Sequence, residues 1–143
     1  MKPPEEVKRE FVRQWLRKGT DDLKVARHLL NAKPDLSYGA AFHAQQAAEK
    51  LLKAVLVWHQ VEFAKTHDIG RILDLVRTTD PKLADRVRES AALTPYGVDV
   101  RYPGDQPEPT REEAREAVAM AERVEQAVLQ HLPVEFGSAL GKE

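Results

Sequence analysis

The stretch that decides the fold is Ala41–Lys53, "AFHAQQAAEKLLK". Its alanines and leucines recur at three- and four-residue spacing, the pattern of one helix face. At about 100° per residue, Ala41, Ala44, Ala48, Leu51, Leu52 and Val55 share a sector, with Leu56 beside it. His43, Gln46, Lys50 and Lys53 project to the other side, which reads as a wet face unless a partner covers it. Gln45 falls between Leu52 and Leu56, inside the apolar arc. A buried, unpaired amide costs about 1–3 kcal/mol, so Gln45 needs a partner or a cleft.

Working outward, the preceding segment is also helical. One long helix is expected from just after Pro3-Pro4 to Lys33-Pro34, with Phe11, Val12, Trp15, Leu16, Leu23, Ala26, Leu29 and Leu30 on its inner side. Gly19-Thr20 sits inside it, at a cost of about 1 kcal/mol relative to alanine, and would mark a kink or, with Thr20 as cap, a second helix if the long helix did not run through. Asp22 projects between Phe11 and Trp15. A buried aspartate demands a partner. Asp22 and Gln45 therefore either face one polar interior spot, with Arg101 as a candidate cation, or sit half wet at the edge of the apolar stripe.

The quoted helix is expected to span Ser37–Gln60. A third helix is expected from Thr66 as cap, carrying Ile69, Ile72, Leu73 and Val76. A fourth opens at Asp80-Pro81, a cap followed by proline at the first helical position, and carries Leu83, Ala84, Val87 and Ala91. Thr94–Pro109, "TPYGVDVRYPGDQPEP", reads as a long loop, and connections of this length are often functional. Thr110 and Glu113 can form a capping box for a last helix, which Pro133 stops. The expected architecture is all-α: an antiparallel four-helix bundle with an additional short helix. Residues 1–133 form a single domain and residues 134–143 a mobile tail.

Composition narrows the function classes. With 143 residues, 42% apolar and 31% charged, the chain suits one globular domain. A net charge of −1 gives no general electrostatic drive toward nucleic acid. The absence of cysteine excludes disulfides, thiolate metal sites and cysteine nucleophiles. No signal peptide and no membrane span is expected, and the location read is cytoplasmic. The five histidines include no pair at helical zinc spacing, so no metal and no cofactor is expected.

Two candidate ligand groups remain. His67, just after the expected cap, would sit in a first helical turn, where the neutral imidazole is favoured. It reads as a ligand group or as a plain surface histidine. Tyr96, Arg101 and Tyr102 combine stacking faces with a planar cation, suited to a nucleotide phosphate and base. On spacing alone the favoured reading is structural, with the tyrosines packing the loop onto the bundle and Arg101 pairing with an internal acid.

The ordered set "WLRKGTDDLKVARHLL" at Trp15–Leu30, "AFHAQQAAEKLLKAVL" at Ala41–Leu56, Thr66-His67, Tyr96 with Arg101-Tyr102-Pro103, and the last helix resembles the HEPN family across residues 12–132. The resemblance implies a helical homodimer that acts with a minimal nucleotidyltransferase, often as a toxin–antitoxin pair. It implies nucleotide or RNA as ligand, with His43, Gln45, Gln46, Glu49, Lys50, His67 and Arg101-Tyr102-Pro103 matching the family's motifs. The family's RNases carry Arg, then four to six residues, then His. Here the nearest spacing is Arg123 to His131, with seven residues between. That departure favours a non-catalytic binding module. A diverged metal-independent endoribonuclease, built from His43 or His67 with Arg101, is the alternative, and a structural homodimer without small ligand a second.

Overall fold

A computed structural model of the chain describes residues 4–34, 36–97 and 107–139. The expected Arg101, Tyr102 and Pro103 lie outside the described residues. Six α-helices and one 3₁₀ helix follow in order among the described residues: α1 Pro4–Leu30, α2 Ser37–Trp58, α3 Ile69–Arg77, α4 Pro81–Arg86, the 3₁₀ helix Arg88–Gly97, α5 Arg111–His131 and α6 Val134–Ala139. No strand occurs among them, as the helical periodicity predicts.

The first helix is continuous through Gly19-Thr20. Gly19 is there because α2 presses on it: an added Cβ would lie 2.8 Å from Leu51 Cγ. Thr20 caps nothing. It is buried and donates to Glu125 Oε2 of α5 at 3.2 Å. Nearby, Arg27 Nε donates to Glu122 Oε2 at 2.7 Å, so a polar seam joins α1 to α5.

α2 is the central helix, packed by α1, α5, α3 and the 3₁₀ helix. Its C-terminus closes with Gln60 at φ 57° and Val61 N–H donating to Leu56 O, a left-handed cap of the Schellman type. Because α2 is surrounded, its expected wet face is partly interior. Lys53 is 5% exposed and Glu49 3% exposed. The inner faces of α3 and α5 are as expected: Ile69, Ile72, Leu73, Val76, Ala114, Ala117, Val118, Ala121, Val124 and Val128 are all buried. Phe11, expected inside, is instead 50% exposed.

α1 ends at Leu30 and α2 at Trp58, short of the expected Lys33-Pro34 and Gln60, and three further boundaries differ from the sequence expectation. α3 begins at Ile69, with Asp68 as its cap accepting from Arg71 N–H at 3.3 Å. Thr66 Oγ1 does accept a backbone N–H, from Asp68 at 3.1 Å, but in the turn before the helix, where the Thr66 carbonyl accepts from Lys53 Nζ at 3.0 Å and that of His67 from Gln45 Nε2 at 3.1 Å. The segment after α4 tightens into the 3₁₀ helix, where Ser90 N–H bonds Val87 O three residues back at 2.9 Å. Its last residues, Thr94–Gly97, are the start of the expected loop. Finally, residues 134–139, expected to belong to a mobile tail, form α6, and Phe136 is buried against Trp58.

Candidate functional site

The polar residues of α2 divide between two clusters. The first lies between α1 and α2. Asp22 Oδ1 accepts from His43 Nδ1 at 2.9 Å, and Asp22 Oδ2 accepts from Lys50 Nζ at 2.5 Å. Its side chain is 13% exposed, so the desolvated carboxylate has its two cationic or donor partners at once.

The second cluster is deeper. Gln45, Glu49 and Lys53 recur at i, i+4 and i+8 of α2 and form one buried polar stripe. Glu49 Oε1 accepts from Gln45 Nε2 at 3.1 Å and from His67 Nδ1 at 2.9 Å. Glu49 Oε2 accepts from Lys53 Nζ at 2.8 Å. The Lys53 ammonium also lies 5.5 Å from the Trp15 ring centre and 5.7 Å from that of Phe63. This buried charge is thus held by a carboxylate, a carbonyl and two aromatic faces.

Gln45 is fully buried, as the helix projection requires. Its partners are not those expected. Asp22 and Gln45 occupy separate clusters, because Lys50 and His43 already saturate Asp22 on the α1 side. The cations that serve the two clusters are Lys50 and Lys53, both from α2 itself. Gln46 Nε2 donates to Gln45 Oε1 at 2.6 Å and so links the buried amide to the partly exposed flank of α2. Gly97 seals Gln45 from above: a Cβ there would stand 2.8 Å from Gln45 Cδ. Tyr96, the preceding residue, packs half-buried against the core.

Both candidate histidines have one geometry. Each presents Nδ1 to a carboxylate, which fixes the ring and places the lone pair of the neutral imidazole on Nε2. Nε2 has no hydrogen-bond partner among the described residues for either ring. His67 is 72% and His43 31% exposed at the side chain, so both nitrogens are open to a ligand. His67 precedes α3 rather than sitting in its first turn, and Glu49, not a helix terminus, orients it. The spacing of His67 from Glu49, 18 residues, hid this pairing in the sequence.

A second pair of histidines stands at the other end of the bundle, where α2 and α5 both terminate. His59 Nε2 and His131 Nε2 are 2.7 Å apart, and His131 Nδ1 is 3.2 Å from Asp80 Oδ2. Burial lowers the pKa of His59 from its ordinary 6.5, and the neighbouring His131 lowers it further. Backbone N–H donation from Leu83 to its carboxylate likewise lowers Asp80 from 3.8. The unfolded chain therefore takes up protons first at both sites. As pH falls below 6.5, His59 makes the fold progressively less stable until its own folded pKa is passed. The Asp80 loss adds only below 3.8. Melting temperatures measured from pH 7.5 down to 5 should fall, and His59→Gln should flatten that slope; an unchanged slope would contradict the assignment.

Among the described residues, no group of three or more His, Cys, Asp or Glu side chains is placed to hold a metal ion. No helix among them is long and apolar enough to cross a membrane. The chain is similar to a protein of Methanocaldococcus jannaschii named "Putative toxin MJ1304", 26% identical over 145 residues, covering 90% of this chain and 92% of that protein. It is also similar to the crystal structure of TT1696 from Thermus thermophilus, with a TM-score of 0.62 and 30% identity over 85% of this chain and 98% of that one. Residues 12–132, including both histidine clusters, match the HEPN domain, and the chain belongs to the HEPN domain family.

Proposed function

We propose that the chain is the HEPN member of a toxin–antitoxin-like pair that binds nucleotide or RNA phosphates. The ligand face is the α2 flank of His43, Gln46 and Lys50, together with His67; Arg101 and Tyr102, outside the described residues, stay ligand candidates on their chemistry alone. Gln45 supports the face from within. The protein acts in the cytoplasm as a homodimer, and its protein partner is a small nucleotidyltransferase. The similarity to a protein named as a toxin supports the pairing. The observation that carries the reading is the pair of carboxylate-anchored histidines, each with an open Nε2. A fixed ring loses little freedom on binding, and its second nitrogen is an oriented donor to a phosphate oxygen when protonated.

The same geometry supports a second reading, metal-independent cleavage of RNA. An imidazole oriented by a carboxylate can take a proton from the 2′-hydroxyl, and a second can give one to the leaving 5′-oxygen. One experiment separates the two. Labelled RNA is incubated with the protein in EDTA, and binding and cleavage are scored for the wild type, His43→Ala and His67→Ala. Binding that both variants weaken, with no cleavage, supports the module. Cleavage that both variants abolish makes it an RNase. If neither variant changes binding or cleavage, the site assignment fails.

A further inference from the structure

Beside the first cluster, α1 and α2 leave an open groove of about 400 Å³, lined by Phe11, Gln14, Trp15, Lys18 and Lys50. We propose that this groove seats a nucleoside monophosphate, with the base against Phe11 and Trp15 and the phosphate at Lys18 and Lys50. The proposal rests on the phosphate-binding reading above and gives it a base-recognition site.

The volume falls within the usual range for small-molecule sites, about 300–1,000 Å³. The chemistry of the lining is mixed in a specific way. Two aromatic side chains stand four residues apart on α1, hence on one face, and Phe11 is half exposed although the helix offers it an inner side. Aromatic rings of this kind accept any base by stacking, worth roughly 1–3 kcal/mol per base in other proteins.

One cation comes from each helix, Lys18 from α1 and Lys50 from α2. Lys18 is exposed and has no ion-pair partner among the described residues. Lys50 is held by Asp22 at 2.5 Å, which positions its ammonium at the groove rather than in solvent. Asp22 neutralises one of these two charges, leaving the groove with net positive charge. An anion carried on an aromatic ring complements that combination; a neutral peptide would leave Lys18 unanswered. The other oxygen of Asp22 fixes His43, so His43 adjoins the phosphate end of the groove. Gln14 supplies an amide that can pair with a base edge.

Trp15 makes the proposal directly measurable. The chain has two tryptophans, and Trp58→Phe leaves Trp15 as the only reporter. In that background, tryptophan fluorescence is titrated with adenosine 5′-monophosphate, adenosine, ribose 5-phosphate and inorganic phosphate. The monophosphate should bind more tightly than each of the other three. Phe11→Ala and Lys18→Ala should each weaken it about tenfold. Circular dichroism controls for folding, and both residues are exposed enough for the variants to fold. If the monophosphate binds but neither variant weakens it, the groove is not the site, although phosphate binding stands. If neither nucleotide nor RNA binds in any form, both readings fall. Sedimentation supplies a further check: should Phe11→Ala split a dimer into monomers without affecting nucleotide binding, a second copy of the chain fills the groove and the proposal is overturned.

Discussion

Glu49→Ala should destabilise the fold by about 3–5 kcal/mol, the usual cost of removing one partner from a buried ion pair. Glu49 is the acceptor for three donors: Gln45, Lys53 and His67. Without it the Lys53 ammonium remains buried, at 5% exposure, with only the Thr66 carbonyl and two aromatic faces. Gln45 keeps its bond to the His67 carbonyl but loses its other acceptor. Urea denaturation measures the cost. Replacing both ions with apolar groups, Glu49→Leu with Lys53→Met, should restore most of the stability, since no unpaired charge is left inside. A Glu49→Ala protein within about 1 kcal/mol of wild type would show that water reaches Lys53 and that the stripe is not the closed network described. The restored double variant also has a functional use. It keeps the fold while leaving His67 without its anchor, so a loss of RNA or nucleotide binding there would trace to ring orientation.

How far the sequence revealed this depends on which kind of contact is asked about. The apolar faces of α3 and α5 follow from spacing alone, because each of these helices packs its inner face on the bundle and leaves the opposite face to water. For α2 that two-way division breaks down. A helix enclosed by α1, α5, α3 and the 3₁₀ helix has little wet side, so Lys53 and Glu49 are buried although their residue types suggest solvent. The i, i+4, i+8 recurrence of Gln45, Glu49 and Lys53 is the signal in the sequence, and a two-way division into apolar and polar faces does not separate such a stripe from a wet face. Gln45 was legible because it sits between leucines. Its partners were not, since His67 comes from a distant segment whose expected cap was Thr66, whereas the helix is capped by Asp68. Asp22 was likewise legible as needing a partner. Lys50, 28 residues away, could be chosen over Gln45 only once the packing of α1 on α2 was known.

The second large effect concerns the end of the chain. Phe136→Ala should cost about 3–5 kcal/mol, the range for truncating a buried aromatic ring. The segment "VEFGSA" after Pro133 has no periodicity to read, because six residues are too few to show a face. What holds it is a set of contacts from other elements. Phe136 is 1% exposed and meets the Trp58 ring edge-on at 5.6 Å. Lys8 lies 4.1 Å and Arg9 5.0 Å from the centre of the Trp58 ring, and Arg9 also pairs with Glu135. Most of the energy is in Phe136, since an exposed ion pair such as Arg9–Glu135 contributes about 0–1 kcal/mol. Arg9→Ala should therefore cost far less than Phe136→Ala. Loss of the ring would also wet Trp58, giving a red shift of its emission in a Trp15→Phe background. Because α6 is terminal, the undocking of this one helix sets an upper bound on the cost. Truncation after Pro133 measures that bound: it should destabilise at least as much as Phe136→Ala. If truncation costs less than about 1 kcal/mol, α6 does not close the bundle and residues 134–139 behave as the loose tail that their composition suggests.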